Sequence, residues 1–192
     1  MFAILSKALT PTFLKAQLLY VTCATSDKDW HSMEHSHYFS ELFFVTKGTG
    51  YFQIEGKQIP VQKNDLILIN PNIPHTEFGN KEQPWEYIAL GIEGVQFQYS
   101  EKEAPYSYSV FSLSREHREI PWYLSTLVKE IQTQQEGYQT ICQNLLELIL
   151  LSVARSTRQD FSLPQGRKPP ENADWWSNTS TNTITKILRW TH

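Results

Sequence analysis

Cysteine is nearly absent: Cys23 and Cys142 are the only two among 192 residues, and they lie far apart in sequence. Such a pair fits neither a disulfide framework nor a cysteine zinc site, and its natural setting is a reducing cytoplasm. Long hydrophobic runs are missing as well. None reaches the ~18 residues that a bilayer crossing needs, and the N-terminal MFAILSKALTPTFLKAQLL has no small-residue cleavage site. No membrane partner is expected. Positive charge has no surplus, since 17 Lys and Arg stand against 20 Asp and Glu for a formal net charge of −3. Chains that neutralise many phosphates are basic, so these residues by themselves are not expected to bind DNA.

What is present is globular. Hydrophobic residues make up 40% and aromatics 13%, enough for a single sizeable core. Up to about residue 115 the chain reads as short strands: 17–25, 41–47, 50–56, 58–62, 65–70, 85–92 and 107–113 are rich in β-branched and aromatic residues between Gly, Asn, Asp and Pro. Lys47-Gly48-Thr49-Gly50, Glu55-Gly56-Lys57 and Lys63-Asn64-Asp65 are turn sequences that predict three consecutive hairpins. The fold expected is mainly β, an antiparallel barrel, with helices after it.

Beyond residue 115 the apolar spacing becomes helical. Ile120, Leu124, Leu127, Val128 and Ile131 share one face. After Glu136-Gly137, a second helix carries apolar residues almost all round, from Ile141 to Val153. If Leu145, Leu148 and Ser152 pack on the barrel, then Leu146, Leu150 and Val153 form a second stripe facing another chain; the alternative is a helix buried in the core. Residues 159–183 have the composition of a linker, and ITKILRWTH opens a further helix.

Four of the six histidines fall between positions 31 and 75. On an extended segment His35 and His37 point the same way, Glu41 follows in phase, and His75 arrives after the next strands. Two imidazoles, a carboxylate and a third imidazole make a metal-ligand set, yet they are equally a self-satisfied polar cluster. By the same parity Glu77, Trp85 and Tyr87 point inward. Trp85 and Tyr87 line a pocket or simply pack there, while Trp30, Phe39 and Phe43 belong to the core.

His35-Ser36-His37 with Glu41 and Gly48, followed by Pro74-His75, resembles the two motifs of the cupin superfamily. Asp29, Asn72 and Gly79 depart from the glycine, glycine and asparagine of those motifs. A narrower resemblance is denser. HSHYFSELFFVTKGTGYFQIEGKQIPVQKNDLILINPNIPHTEF is similar to the effector-binding barrel of AraC/XylS-type transcription regulators, the likeness running from about residue 30 to 92. It implies a cupin-like jelly-roll barrel over 17–115, behind an N-terminal arm over 1–16. A helical pair for dimerisation over 116–158 follows, then a linker over 159–192 that opens a helix-turn-helix domain. That domain would need roughly another hundred residues, which are not in this chain.

The resemblance implies no catalysis and no cofactor. A small effector, of which a carbohydrate is the expected class, would be held by His35, His37, Glu41, His75, Glu77, Trp85 and Tyr87, with Phe2 and Phe13 of the arm as a lid. Leu146, Leu150 and Val153 would form a homodimer interface, and DNA would be reached only through the absent domain. The competing reading is a metal-dependent cupin enzyme, an isomerase or dioxygenase, holding iron, manganese or zinc on His35, His37, Glu41 and His75.

Overall fold

The computed structural model describes residues 16–26, 33–79, 84–98, 106–113, 117–157 and 160–162. Its elements are β1 (Gln17–Ser26), β2 (Ser40–Lys47), β3 (Thr49–Ile54), β4 (Lys57–Gln62), β5 (Asp65–Ile69), β6 (His75–Gly79), β7 (Trp85–Glu93), β8 (Gln96–Gln98), β9 (Tyr108–Ser112), α1 (Glu119–Thr133), α2 (Tyr138–Thr157) and β10 (Asp160–Ser162). A five-stranded antiparallel sheet runs in the order β1-β7-β2-β5-β9, and a three-stranded one in the order β4-β3-β6. The fold is thus mainly antiparallel β with two helices after the first nine strands, as the sequence predicts, and one short strand beyond them.

Of the three expected hairpins, only the middle one pairs its flanking strands. Glu55 (φ 50°) and Gly56 (φ 76°) both take positive φ, the geometry that matches strand twist in a two-residue turn joining β3 to β4. The other two turns are corners that carry the chain between sheets, β2 to β3 and β4 to β5. They run side by side: Lys63 N donates to Gly48 O at 3.0 Å and Asn64 N to Val45 O at 2.9 Å. Gly48 is required there, because its φ is 74° and a Cβ would lie 2.6 Å from the Pro84 carbonyl. A positive-φ residue thus marked each turn without saying which strands it joins.

Alternation along β2 sorts its side chains to the two faces of the larger sheet. Leu42 and Phe44 join one apolar layer with Leu66, Leu68, Leu90 and the helices, whereas Phe43 and Val45 join a second with Phe52, Ile54, Ile69 and Trp85. The single core expected is therefore two layers, one between the sheets and one between the larger sheet and the helical pair. This explains why β2 and β5 are apolar at consecutive positions, since a strand covered on both faces has no solvent side.

The helices also correct an assignment. α1 buries Ile120, Leu124, Leu127 and Ile131 as spaced. In α2, however, Leu146, Leu150 and Val153 are wholly buried within the chain, together with Cys142, Leu145 and Ile149. They are core residues, not an outward stripe. The exposed apolar positions are Ile141, Leu148 and Leu151, each a little over 40% exposed. α2 packs against both α1 and the sheet, so the buried arc is wider than a one-partner stripe and takes in what the sequence reading turned outward.

Three short strands escaped sequence reading: β6, β8 and β10. The last lies in the expected linker, where Asp160–Ser162 pair with β8. β8 is in turn held by Asn70, whose side chain accepts from Phe97 N at 2.8 Å and donates to Phe97 O at 2.9 Å. Among the described residues no helix is long and apolar enough to cross a membrane.

Candidate functional site

The two sheets meet over a polar cluster. His35 forms a two-way backbone bridge with His75, N to O at 2.9 Å in each direction, which pins the segment before β2 to the start of β6. His37 lies two residues on and stacks on Phe39 with ring centroids 4.8 Å apart. Glu41, near the start of β2, comes from the opposite sheet. One ligand-capable atom from each of His35, His37, Glu41 and His75 lies within 4.8 Å of the others.

The imidazoles are oriented from outside. Nδ1 of His35 contacts the Met33 carbonyl at 2.8 Å, and Nδ1 of His75 contacts that of Ile73 at 2.9 Å. A ring that donates Nδ1–H to a carbonyl leaves Nε2 free to face inward. Nε2 of His75 then lies 2.9 Å from Glu41 Oε2, and Nε2 of His37 lies 3.7 Å from the same oxygen. The donor set therefore fits a divalent metal as well as a polar ligand.

Burial and the contacts with Glu41 compete to set the charges. It pulls the His75 imidazolium down, but contact with Glu41 outweighs this and raises His75 to about 9. At His37, by contrast, burial dominates, the pull of Glu41 is insufficient, and that ring falls to about 4. Glu41 itself is pushed up by burial and brought down further by His75, His37 and Tyr20, ending at about 2. At neutral pH Glu41 is thus a carboxylate facing a protonated His75, with His37 neutral beside them.

Tyr20 is a site residue that the sequence reading missed. Across the sheet, Tyr20 of β1, Gly91 of β7 and Glu41 of β2 lie in register. A Cβ at Gly91 would sit 2.2 Å from the Tyr20 ring, so the missing side chain is what lets Tyr20 reach over β7 and donate to Glu41 Oε1. An isolated glycine inside an apolar strand was the available signal.

Glu77 and Tyr87 form a second polar pair between the sheets, with Tyr87 Oη donating to Glu77 Oε1 at 2.8 Å. Burial, reinforced by Glu77, raises the Tyr87 phenol well above its ordinary range. Trp85 packs against Tyr87 and edge-on to Phe52, centroids 4.8 and 5.7 Å away. The seven residues expected in a pocket thus gather in or beside the layer between the sheets; His35 and His37 are part-exposed and the others buried. Phe39 and Phe43 are core residues, as read. Trp30, Phe2 and Phe13 lie outside the described residues.

A concavity of about 300 Å³ lies between β1 and α2. Gln143 closes it, donating to Ala16 O at 2.7 Å and accepting from Leu18 N at 3.3 Å. Its amide stands in for a neighbouring strand at the edge that β1 forms among the described residues.

Residues 18–150 match the AraC-like ligand binding domain. Among solved structures, the chain is similar to ToxT K231A from Vibrio cholerae at 10% identity and TM-score 0.44, covering 73% of this chain and 55% of that one. It is similar also to plu4264 protein from Photorhabdus luminescens, at 27% identity and TM-score 0.35, covering 37% of this chain and 59% of that one. A cupin protein from Bacteroides fragilis aligns at 15% identity and TM-score 0.34, covering 53% of this chain and 92% of that one. The chain therefore spans under two thirds of the length of the first two. No curated protein sequence matches it.

Proposed function

This chain belongs to the AraC-like ligand binding domain family, and on that premise we propose that it is the effector-sensing and dimerisation part of a cytoplasmic transcription regulator, without catalytic activity. The observation that carries the reading is the buried polar cluster between the sheets, where imidazole, carboxylate and phenol groups stand beside aromatic rings. Those groups suit a small polyhydroxylated effector of the carbohydrate class: carboxylates accept from hydroxyls, and aromatic faces cover the C–H side of a ring. Occupancy would alter the Glu41–His75 and Glu77–Tyr87 pairs that join the sheets, shifting the population of states presented to a partner chain and to a DNA-binding domain outside these residues. Homodimer formation is part of this proposal. The test is a thermal-shift screen of monosaccharides, repeated on His75→Gln and Tyr87→Phe. A stabilising sugar whose effect both variants reduce supports the reading; a hit indifferent to both places the ligand elsewhere.

A second reading rests on the inward Nε2 atoms of His35 and His75. With His37 and Glu41 they would hold a divalent metal, which in a cupin enzyme supplies Lewis acidity or oxygen chemistry. Elemental analysis of protein purified without an affinity tag separates the two, stoichiometric transition metal favouring the enzyme.

A further inference from the structure

Residues 70–75 join the end of β5 to the start of β6, and the segment is stiff. Pro71 and Pro74 fix φ at about −65°, while Asn72 sits in the left-handed region at φ 65°. Asn72 N donates to His37 O at 2.6 Å, and Glu55 N to Pro74 O at 3.0 Å. At one end of the segment the Ile73 carbonyl contacts His75 Nδ1 at 2.9 Å, which turns Nε2 towards Glu41. At the other end Asn70 is buried and spends its carboxamide on the chain around β8. Its Nδ2 donates to Phe97 O at 2.9 Å and to Tyr106 O, and its Oδ1 accepts from Phe97 N at 2.8 Å. Ser40, the neighbour of Glu41, donates to Val95 O at 2.8 Å. Both members of the Glu41–His75 pair are thus tied to β8 or the residue before it, Glu41 through Ser40 and His75 through residues 70–75.

β8 passes the tie on. Alternate residues of a strand turn their backbone groups to opposite sides. Phe97 turns its own to Asn70, which leaves Gln96 and Gln98 to face Ser162 and Asp160 of β10. Among the described strands β10 pairs with β8 alone, and a two-stranded ribbon is marginal without further support.

We infer that residues 70–75 couple the Glu41–His75 pair to β10, so that a change at the pair alters how firmly the chain leaving α2 is held. The inference rests on the effector-sensing reading and adds a route out of its site. A slack loop would absorb a displacement of His75, whereas a segment stiffened by two prolines and bonded at both ends carries it to Asn70.

Amide hydrogen exchange on the full chain tests this by comparing β8 and β10 with the β3–β4 hairpin. Glu41→Gln should speed exchange in β8 and β10 by at least about fivefold more than in the hairpin, the lower end of typical coupling between sites. Equal acceleration in both is general loosening and overturns the coupling. In the reverse direction, Ser162→Pro removes a ladder donor and should move the NMR signals of the His75 ring, since coupling is reciprocal. Unmoved signals overturn the inference. In a Pro71→Ala, Pro74→Ala background the response to Ser162→Pro should shrink, and an undiminished response overturns the assignment to residues 70–75. The reverse arm leaves the pair unaltered, so the test holds even where Glu41→Gln fails to fold. Neither arm adds an effector, so these outcomes stand apart from the monosaccharide screen that decides the sensing reading.

Discussion

Glu41 Oε2 and His75 Nε2 stand 2.9 Å apart across the two sheets, one residue on β2 of the five-stranded sheet and the other opening β6 of the three-stranded one. With both groups almost wholly buried, the pair ties the sheets by charge where most of their shared layer is apolar. Removing one partner strands the other. Glu41→Gln should therefore cost about 3 kcal/mol or more of unfolding free energy, read as a fall in the urea midpoint at unchanged slope. A loss under about 1 kcal/mol, the range of exposed pairs, would mean the pair does not join the sheets.

The same cluster sets a pH profile. His37 is lowered from 6.5 to about 4, so its contribution is present above 6.5 and is lost as pH falls towards 4. His75 is raised from 6.5 to about 9, so its contribution is present below 6.5 and is lost as pH rises through 9. Stability should peak near pH 6.5, each limb falling by up to about 1.4 kcal/mol per pH unit. Urea midpoints of chelator-treated protein across that window provide the measurement, and His37→Gln should flatten the acid limb alone. A profile flat from 4 to 9 would contradict both assignments.

How far the sequence reached depended on whether a feature is local. Strands, turn positions and the phase of His35, His37 and Glu41 follow from alternation and positive-φ residues, which a linear chain displays. Pairing does not. The Gly48 and Asn64 turns look like hairpin turns but are corners, and β10 pairs with β8 through contacts separated by some sixty residues. Tyr20 entered the site only because Gly91, seventy-one positions later, leaves its surface open. On α2, Leu146 and Leu148 are chemically alike, and only the positions of α1 and the sheet bury one and expose the other.

Gly91 gives a further prediction. A methyl group there meets the Tyr20 ring at 2.2 Å, too close for any rotamer adjustment in a packed layer. Gly91→Ala should displace Tyr20 from Glu41 and cost about 1 to 3 kcal/mol, with a matching change in Tyr20 fluorescence or NMR environment. In the Tyr20→Phe background the steric cost should persist while the loss of the Glu41 contact disappears, so the two substitutions should be less than additive. Full additivity would show that the glycine serves only local packing.

The exposed apolar positions on the helices decide whether the chain pairs with itself. Trp122 is 61% exposed, and Ile141, Leu148 and Leu151 are 41–43% exposed. α1 and α2 are joined by a short antiparallel connection, so Trp122 near the start of α1 lies towards the same end as Leu148 and Leu151 on α2. Burying the open half of each side chain is worth about 1 kcal/mol, and a two-fold pairing counts each residue twice. That total is comparable with the association cost of about 4 to 15 kcal/mol, so the measured oligomeric state decides whether these side chains pair the chain. Leu148→Glu should then give a folded monomer by sedimentation velocity and circular dichroism. Leu150→Glu should instead lose its fold, because that side chain has no exposure in the single chain and a charge there has no partner. A wild-type chain still monomeric well above micromolar concentration would remove the interface, and a Leu150→Glu chain that folds as a monomer would restore the outward stripe that the structure places in the core.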